Sequence, residues 1–148
     1  MELDPLQTLI EYEAIRNLKA RYFRHLDTKD WASWTEVFEP EFDHEMEFEQ
    51  QYIKGPREDF VKFVAEALTG VITVHHGHNP EIELTSPTTA RAIWSFVDRL
   101  KPGPDAPLTA PTLVGYGHYH ETYVKSAAGW RIKTQRVTRL RMDFAEGK

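Results

Sequence analysis

Apolar positions recur at helical spacing in the first part of the chain and at every second position in the remainder. Asp4 followed by Pro5 reads as an N-cap with proline at the first helical position. Leu9, Tyr12, Ile15, Leu18, Tyr22, Phe23 and Leu26 then form a broad stripe, interrupted by Arg16 and Lys19, which predicts a helix running to about Leu26. Thr28 or Asp30 can cap a short second helix over WASWTEVF, and Pro40 helps to stop it. A short strand around HEMEF follows. In GPREDFVKFVAEAL, the placement of Phe60, Phe63, Val64 and Leu68 predicts a third helix, which Gly70 is placed to end.

After Gly70 the period changes to two. VITVHHGHN and EIELT read as strands, or as one strand bent at Asn79-Pro80. ARAIWSFVDRLK alternates, with Trp94, Phe96 and Asp98 on one face and Ile93, Ser95 and Val97 on the other. PGPDAPLTAP is too rich in proline and glycine for a central strand and reads as a loop. LVGYGHYHETYVK, the turn SAAG and WRIKTQRVTRLRMDF then form a long terminal hairpin. Helices first and sheet afterwards imply an α+β fold. Several long strands sharing an aromatic face must curl around something, and the helices are the available cover.

The 148 residues fit one domain, large enough to bury a core without staples. Four Trp, six Tyr and eight Phe suit either a thick core or an aromatic-walled pocket. With no cysteine, disulfides, thiolate chemistry and cysteine-bound zinc are excluded. A net charge of −5 argues against a nucleic-acid partner, although Arg136, Arg139 and Arg141 cluster in the last strand. No apolar run approaches the ~20 residues a bilayer crossing needs, and MELDPLQTL lacks the basic start and apolar core of a secretion signal. The expectation is a soluble, cytoplasmic, single-domain protein.

Three histidines fall within TVHHGH. On a strand, neighbours point to opposite faces, so only His76 and His78 share a side, and no obvious carboxylate cluster accompanies them. A metal site is not expected. His118 and His120 form a second same-face pair. Tyr22, Phe23, Leu26 and Asp27 lie on one helix face, so Asp27 either caps the helix end or turns a carboxylate towards a cavity. Asp98 repeats that pattern on the face of Trp94 and Phe96. Nucleophile-elbow, phosphate-loop and dinucleotide motifs are absent.

The motif Y-x-x-x-x-D-x-x-D-W at the end of the first helix, H-H-x-x-N on a strand and the final G-W-R-I hairpin resemble the SnoaL-like branch of the nuclear-transport-factor-2-like superfamily. The resemblance spans residues 6–143 and treats 1–148 as one SnoaL-like domain. It implies a cone in which about three N-terminal helices pack in a strongly curved mixed sheet around a deep apolar pocket. The motifs are most similar to those of bile acid 7α-dehydratase and scytalone dehydratase. Carried over residue by residue, Tyr22 and Asp27 match a tyrosine–aspartate pair facing the pocket, and the H-x-x-x-N spacing selects His75 as the catalytic acid/base. Asp98 matches a further pocket aspartate, with Trp94 and Phe96 beside it as apolar substrate contacts. Arg139 matches a last-strand arginine, but strict alternation from Trp130 turns it to the opposite face, so its role requires a bulge. A second pocket histidine is matched loosely, by His118 or His120.

The resemblance therefore implies a lyase or isomerase of dehydratase type. It would need no cofactor and act on an apolar cyclic hydroxylated or ketonic small molecule, with a homodimer or higher homo-oligomer as the assembly. The alternative on the same fold is a non-catalytic ligand-binding or dimerisation module. The discriminator is whether Asp27 and His75 meet inside an open pocket.

Overall fold

The structure, a computed structural model, describes residues 3–145. Three helices, α1 (Pro5–Asp27), α2 (Trp31–Thr35) and α3 (Arg57–Ala67), pack against a six-stranded sheet. The strands are β1 (Phe38–Met46), β2 (Gln51–Lys54), β3 (Val71–Ser86), β4 (Thr89–Pro102), β5 (Leu113–Ser126) and β6 (Gly129–Phe144). Their order is β2-β1-β6-β5-β4-β3, and the β1–β6 pair alone is parallel, so the sheet is mixed. It is curved without closing, with β2 and β3 at its two edges.

Helix α1 begins as its sequence dictates. The Asp4 carboxylate accepts hydrogen bonds from the backbone N–H groups of Leu6 and Gln7 at 2.9 and 3.1 Å. Ile15, Leu18, Tyr22, Phe23 and Leu26 are buried against the sheet. Two positions depart from the predicted stripe. Leu9 is exposed, whereas Lys19 is buried, because its ammonium finds Glu121 on β5 at 2.5 Å. Asp30 caps α2 through the Ser33 N–H, and this helix is shorter than predicted. Val37 and Phe38 leave it to enter the core, and Pro40 lies within β1 instead of following a helix. The strand predicted around HEMEF is longer, and β2 pairs with it as a hairpin that alternation did not reveal.

The inner face of the sheet follows the period-two pattern. Ala90, Ala92, Trp94, Phe96 and Asp98 of β4 are all buried, as are Leu113, Tyr119, Glu121 and Tyr123 of β5. Two strands change face partway. β3 is a single bent strand: its register shifts between His78 and Glu81, with Asn79 in the left-handed region (φ 50°). In β6 the register shifts between Ile132 and Thr134, so Lys133 is surplus, and a second shift leaves Leu140 surplus. Before Lys133, the even positions Trp130 and Ile132 face inward. After it, the odd positions Gln135 and Val137 do. Among the described residues no helix is long and apolar enough to cross a membrane.

Candidate active site

A cavity of about 260 Å³ lies between the helices and the inner sheet face. Leu26 of α1, Phe60, Phe63 and Val64 of α3, and Leu100 and Val137 of the sheet supply apolar walls. Tyr22, His44, Glu49, His75, Asp98, Tyr119, Gln135 and Arg139 bring polar groups to the same space.

Asp27 is the last residue of α1, and a carboxylate there opposes the partial negative charge of the helix C-terminus. Its bonding compensates. Oδ1 lies 2.7 Å from His75 Nδ1 and accepts from the Thr73 hydroxyl at 2.9 Å, while Oδ2 accepts the His75 backbone N–H at 2.8 Å. Burial alone would raise the Asp27 pKa. The bonds from the His75 ring and backbone and from Thr73 outweigh it and hold the carboxyl below its usual range. Phe23 stacks nearly parallel to the His75 imidazole, 6.4 Å away and tilted by 13°. The same ring lies where a side chain at Gly77 would stand, so Gly77 lets Phe23 approach and keep the imidazole flat.

A second ion pair sits alongside. His75 and Asp98 are direct partners across β3 and β4, and Asp98 accepts from Arg139 Nη1 at 2.9 and 3.0 Å. Arg139 also approaches Glu49 at 3.6 Å and lies over the Phe96 ring. Burial works against its charge, but Asp98, with help from Tyr119 and Glu49, holds the guanidinium above its ordinary pKa. The Lys133 bulge is the irregularity that Arg139 required, since it turns Arg139 inward against the alternation counted from Trp130.

Tyr22 lines the cavity with its hydroxyl 3.4 Å from Gln135 Oε1. Burial, reinforced by Glu121, pushes its pKa up, so it remains a protonated phenol. Trp94 and Phe96 face inward but pack within the core outside the cavity lining. The Trp94 indole N–H donates to Tyr123, and Phe96 underlies Arg139. His118 is a correction. Tyr119 between it and His120 is the inward residue, so both histidines lie on the outer face, where His120 Nε2 meets Thr138 Oγ1 at 3.1 Å. His76 and His78 are exposed on the side opposite His75. Among the described residues, no group of three or more His, Asp or Glu is arranged to hold a metal ion.

Several participants were missed from the sequence. His44 of β1 lines the cavity, 3% exposed, with its ring 4.2 Å from that of Phe60. Burial pushes its pKa down to about 3, against a smaller upward pull from Gln135. Behind Tyr22 runs a buried polar network. Lys19 and the Gln135 amide donate to Glu121 Oε1 at 2.5 and 2.6 Å, Tyr123 donates to Glu121 Oε2, and the Lys19 ammonium stands over the Tyr22 and Tyr119 rings. The available signal was Lys19 itself, a cation inside an apolar helical stripe.

The fold and site define an α+β cone whose inner face carries an imidazole–carboxylate pair at a cavity. Residues 7–136 match the sequence model of the SnoaL-like domain, and the chain belongs to that family. Solved structures show the same architecture. A candidate scytalone dehydratase from Novosphingobium aromaticivorans is 21% identical with a TM-score of 0.82, over 96% of this chain and 92% of that one. A type-2 hexachlorocyclohexane dehydrochlorinase, LinA, is 16% identical with a TM-score of 0.79, over 97% and 94%. A variant of Rv3472 from Mycobacterium tuberculosis, of unknown function, is 22% identical with a TM-score of 0.77, over 95% and 79%.

Proposed function

We propose that this protein is a cofactor-independent lyase or isomerase that removes a proton from a small, apolar, cyclic hydroxylated or ketonic molecule. The observation that carries the reading is the 2.7 Å contact between His75 Nδ1 and Asp27 at a cavity, because it leaves Nε2 as the nitrogen available to a substrate. A neutral imidazole can take a proton from carbon beside a carbonyl and later return it to a departing hydroxyl. In a dehydration, the C–H electrons become the new C=C bond, the C–O bond breaks, and the proton leaves with the oxygen as water. Asp27 orients the ring and stabilises the imidazolium.

Tyr22, kept protonated by burial, would donate to the substrate oxygen as charge develops there. Asp98 and Arg139 would hold the polar end of the substrate. Two neighbours point the same way by name, since a dehydratase and a dehydrochlorinase both eliminate a small molecule to form a double bond. The dyad meeting at a cavity also favours catalysis over a purely ligand-binding module.

Homo-oligomerisation through the outer sheet face belongs to the same reading. That face carries a groove of about 800 Å³ bordered by Tyr52, Ile93, Thr122 and Arg136. Light scattering would test it, and a monomer at micromolar concentration would remove it. A cytoplasmic location is likewise proposed, and cell fractionation tests it.

The catalytic test is deuterium incorporation from heavy water into a panel of cyclic hydroxyketones, because dehydration, double-bond migration and ring closure all start with this proton transfer. Exchange by wild type, reduced at least ~10²-fold in His75→Ala, is the expected result. A smaller loss would remove His75 from the acid/base role.

A further inference from the structure

His44 is a buried cavity histidine that the proposed proton transfer leaves unused. It is 3% exposed and lines the cavity, yet among the described residues neither ring nitrogen has a hydrogen-bond partner. Phe60 packs on the ring at 4.2 Å, which holds the imidazole in place but offers its nitrogens nothing. A buried polar atom left unpaired is destabilising, so such a residue calls for a role.

Burial keeps the ring neutral, and a neutral imidazole carries one N–H donor and one bare lone pair. The donor has an acceptor close by. Gln135 is the partner of His44 across β1 and β6, and its amide is oriented by Glu121: Nε2 donates to that carboxylate at 2.6 Å, which leaves Oε1 as an acceptor for other neighbours. The lone pair fares worse. The Tyr22 hydroxyl is turned to Gln135 Oε1 at 3.4 Å, and the Lys19 ammonium is spent on Glu121. What His44 lacks is a donor.

The chemistry of that donor can be narrowed. A carbonyl or carboxylate only accepts. An ammonium would be repelled by the Lys19 charge, which already acts on the His44 ring. A neutral hydroxyl fits both conditions.

We infer that His44 is a specificity residue, which accepts a hydrogen bond from a hydroxyl on the end of the substrate remote from His75. The two histidines stand on β1 and β3, with β6, β5 and β4 between them, and both line the cavity. The substrate class narrows accordingly, to a cyclic molecule with one oxygen function at the reacting carbon and a separate hydroxyl at its far end. The inference rests on the reading of this cavity as a site for an apolar cyclic molecule, and adds the second point by which that molecule is held.

The test uses the full chain and three forms of one fused bicyclic ketone, decalone: unsubstituted, with a hydroxyl on the second ring, and with a second carbonyl at that position. Calorimetry on wild type should give the hydroxy ketone an affinity about tenfold or more above the other two. In ¹⁵N NMR, the unprotonated ring nitrogen of His44 should move upfield with the hydroxy ketone and stay in place with the diketone. His44→Phe keeps an aromatic ring on Phe60 and removes the unpaired edge. Its Tm at neutral pH should equal or exceed that of wild type, while the hydroxyl preference falls to within about threefold.

Equal affinity of wild type for the hydroxy and unsubstituted ketones overturns the inference, because solvent would then serve the lone pair as well as a ligand does. So does a full hydroxyl preference in His44→Phe, an equal His44 shift with all three probes, or failure of the hydroxy ketone to bind at millimolar concentration. None of these readouts depends on turnover. A hydroxyl preference that needs His44, without any deuterium exchange, would keep the specificity role and sink the catalytic reading. His75-dependent exchange with no hydroxyl preference would do the reverse.

Discussion

Asp98 and Arg139 form their ion pair across a strand to which neither belongs. They lie on β4 and β6, and the residue of β5 opposite Asp98 is Gly115. A Cβ at that glycine would overlap Asp98 Oδ1 and Arg139 Nη1. The absent side chain is what opens the passage between the two charges.

Gly115→Ala should therefore displace the pair without touching either member. Both side chains are under a tenth exposed, so overpacking there should cost about 1–3 kcal/mol. Urea denaturation would measure it. Stability within error of wild type would mean that the pair relaxes freely around a methyl group.

The Lys19–Glu121 pair makes a different prediction. Burial lowers the Lys19 pKa to about 8 despite the attraction of Glu121, so desolvation outweighs the pairing at the ammonium. Lys19→Met strands a buried carboxylate and should cost about 3–5 kcal/mol. The double variant Lys19→Met/Glu121→Gln should regain more than half of that. Equal losses in the single and double variants, read from denaturation midpoints, would show that the rest of the network holds the charge alone.

His44 should make the fold acid-sensitive. Its pKa is about 3 folded against 6.5 in the free side chain, so its contribution is fully present above pH 6.5 and is lost as pH falls towards 3. The slope is about 1.4 kcal/mol per pH unit across that window. His44→Phe, which keeps the contact with Phe60, should flatten stability between pH 6 and 4. An unchanged slope would place the acid sensitivity elsewhere.

Asp27 acts lower on the pH scale. Its pKa is depressed below the ordinary 3.8, so its contribution is present above that value and fades as pH falls through the folded pKa. Asp27→Asn should remove this acid limb and lower turnover by about 10² or more, since an amide offers the imidazole no charge. Turnover within threefold of wild type would make Asp27 a helix-end residue only.

Much of this was legible in the chain. Asp4-Pro5, the helical stripes and the alternation of β4 and β5 announce their elements because each depends on neighbours close in sequence. Asp27 and Asp98 could be picked out as polar residues on apolar faces, whereas His75 was singled out only by the family resemblance. What escaped depends on distant partners. Lys19 reads as a break in a stripe until Glu121 is brought to it from β5, and His44 sits in a strand whose hairpin shows no alternation. His118 was misplaced because the inward residue between the two histidines, Tyr119, could not be told from its neighbours by period alone. Gly115 is legible only as a glycine within a strand, which often marks a close approach, and not as the gap between two particular charges.

The surplus residue at Lys133 carries a consequence for how such proteins diverge. A deletion at that point would exchange the interior and exterior identities of the positions from Gln135 to Arg139, delivering the guanidinium to solvent while altering no letter of the motif. A relative one residue shorter in this stretch would need another cation beside its aspartate, however well the two sequences aligned.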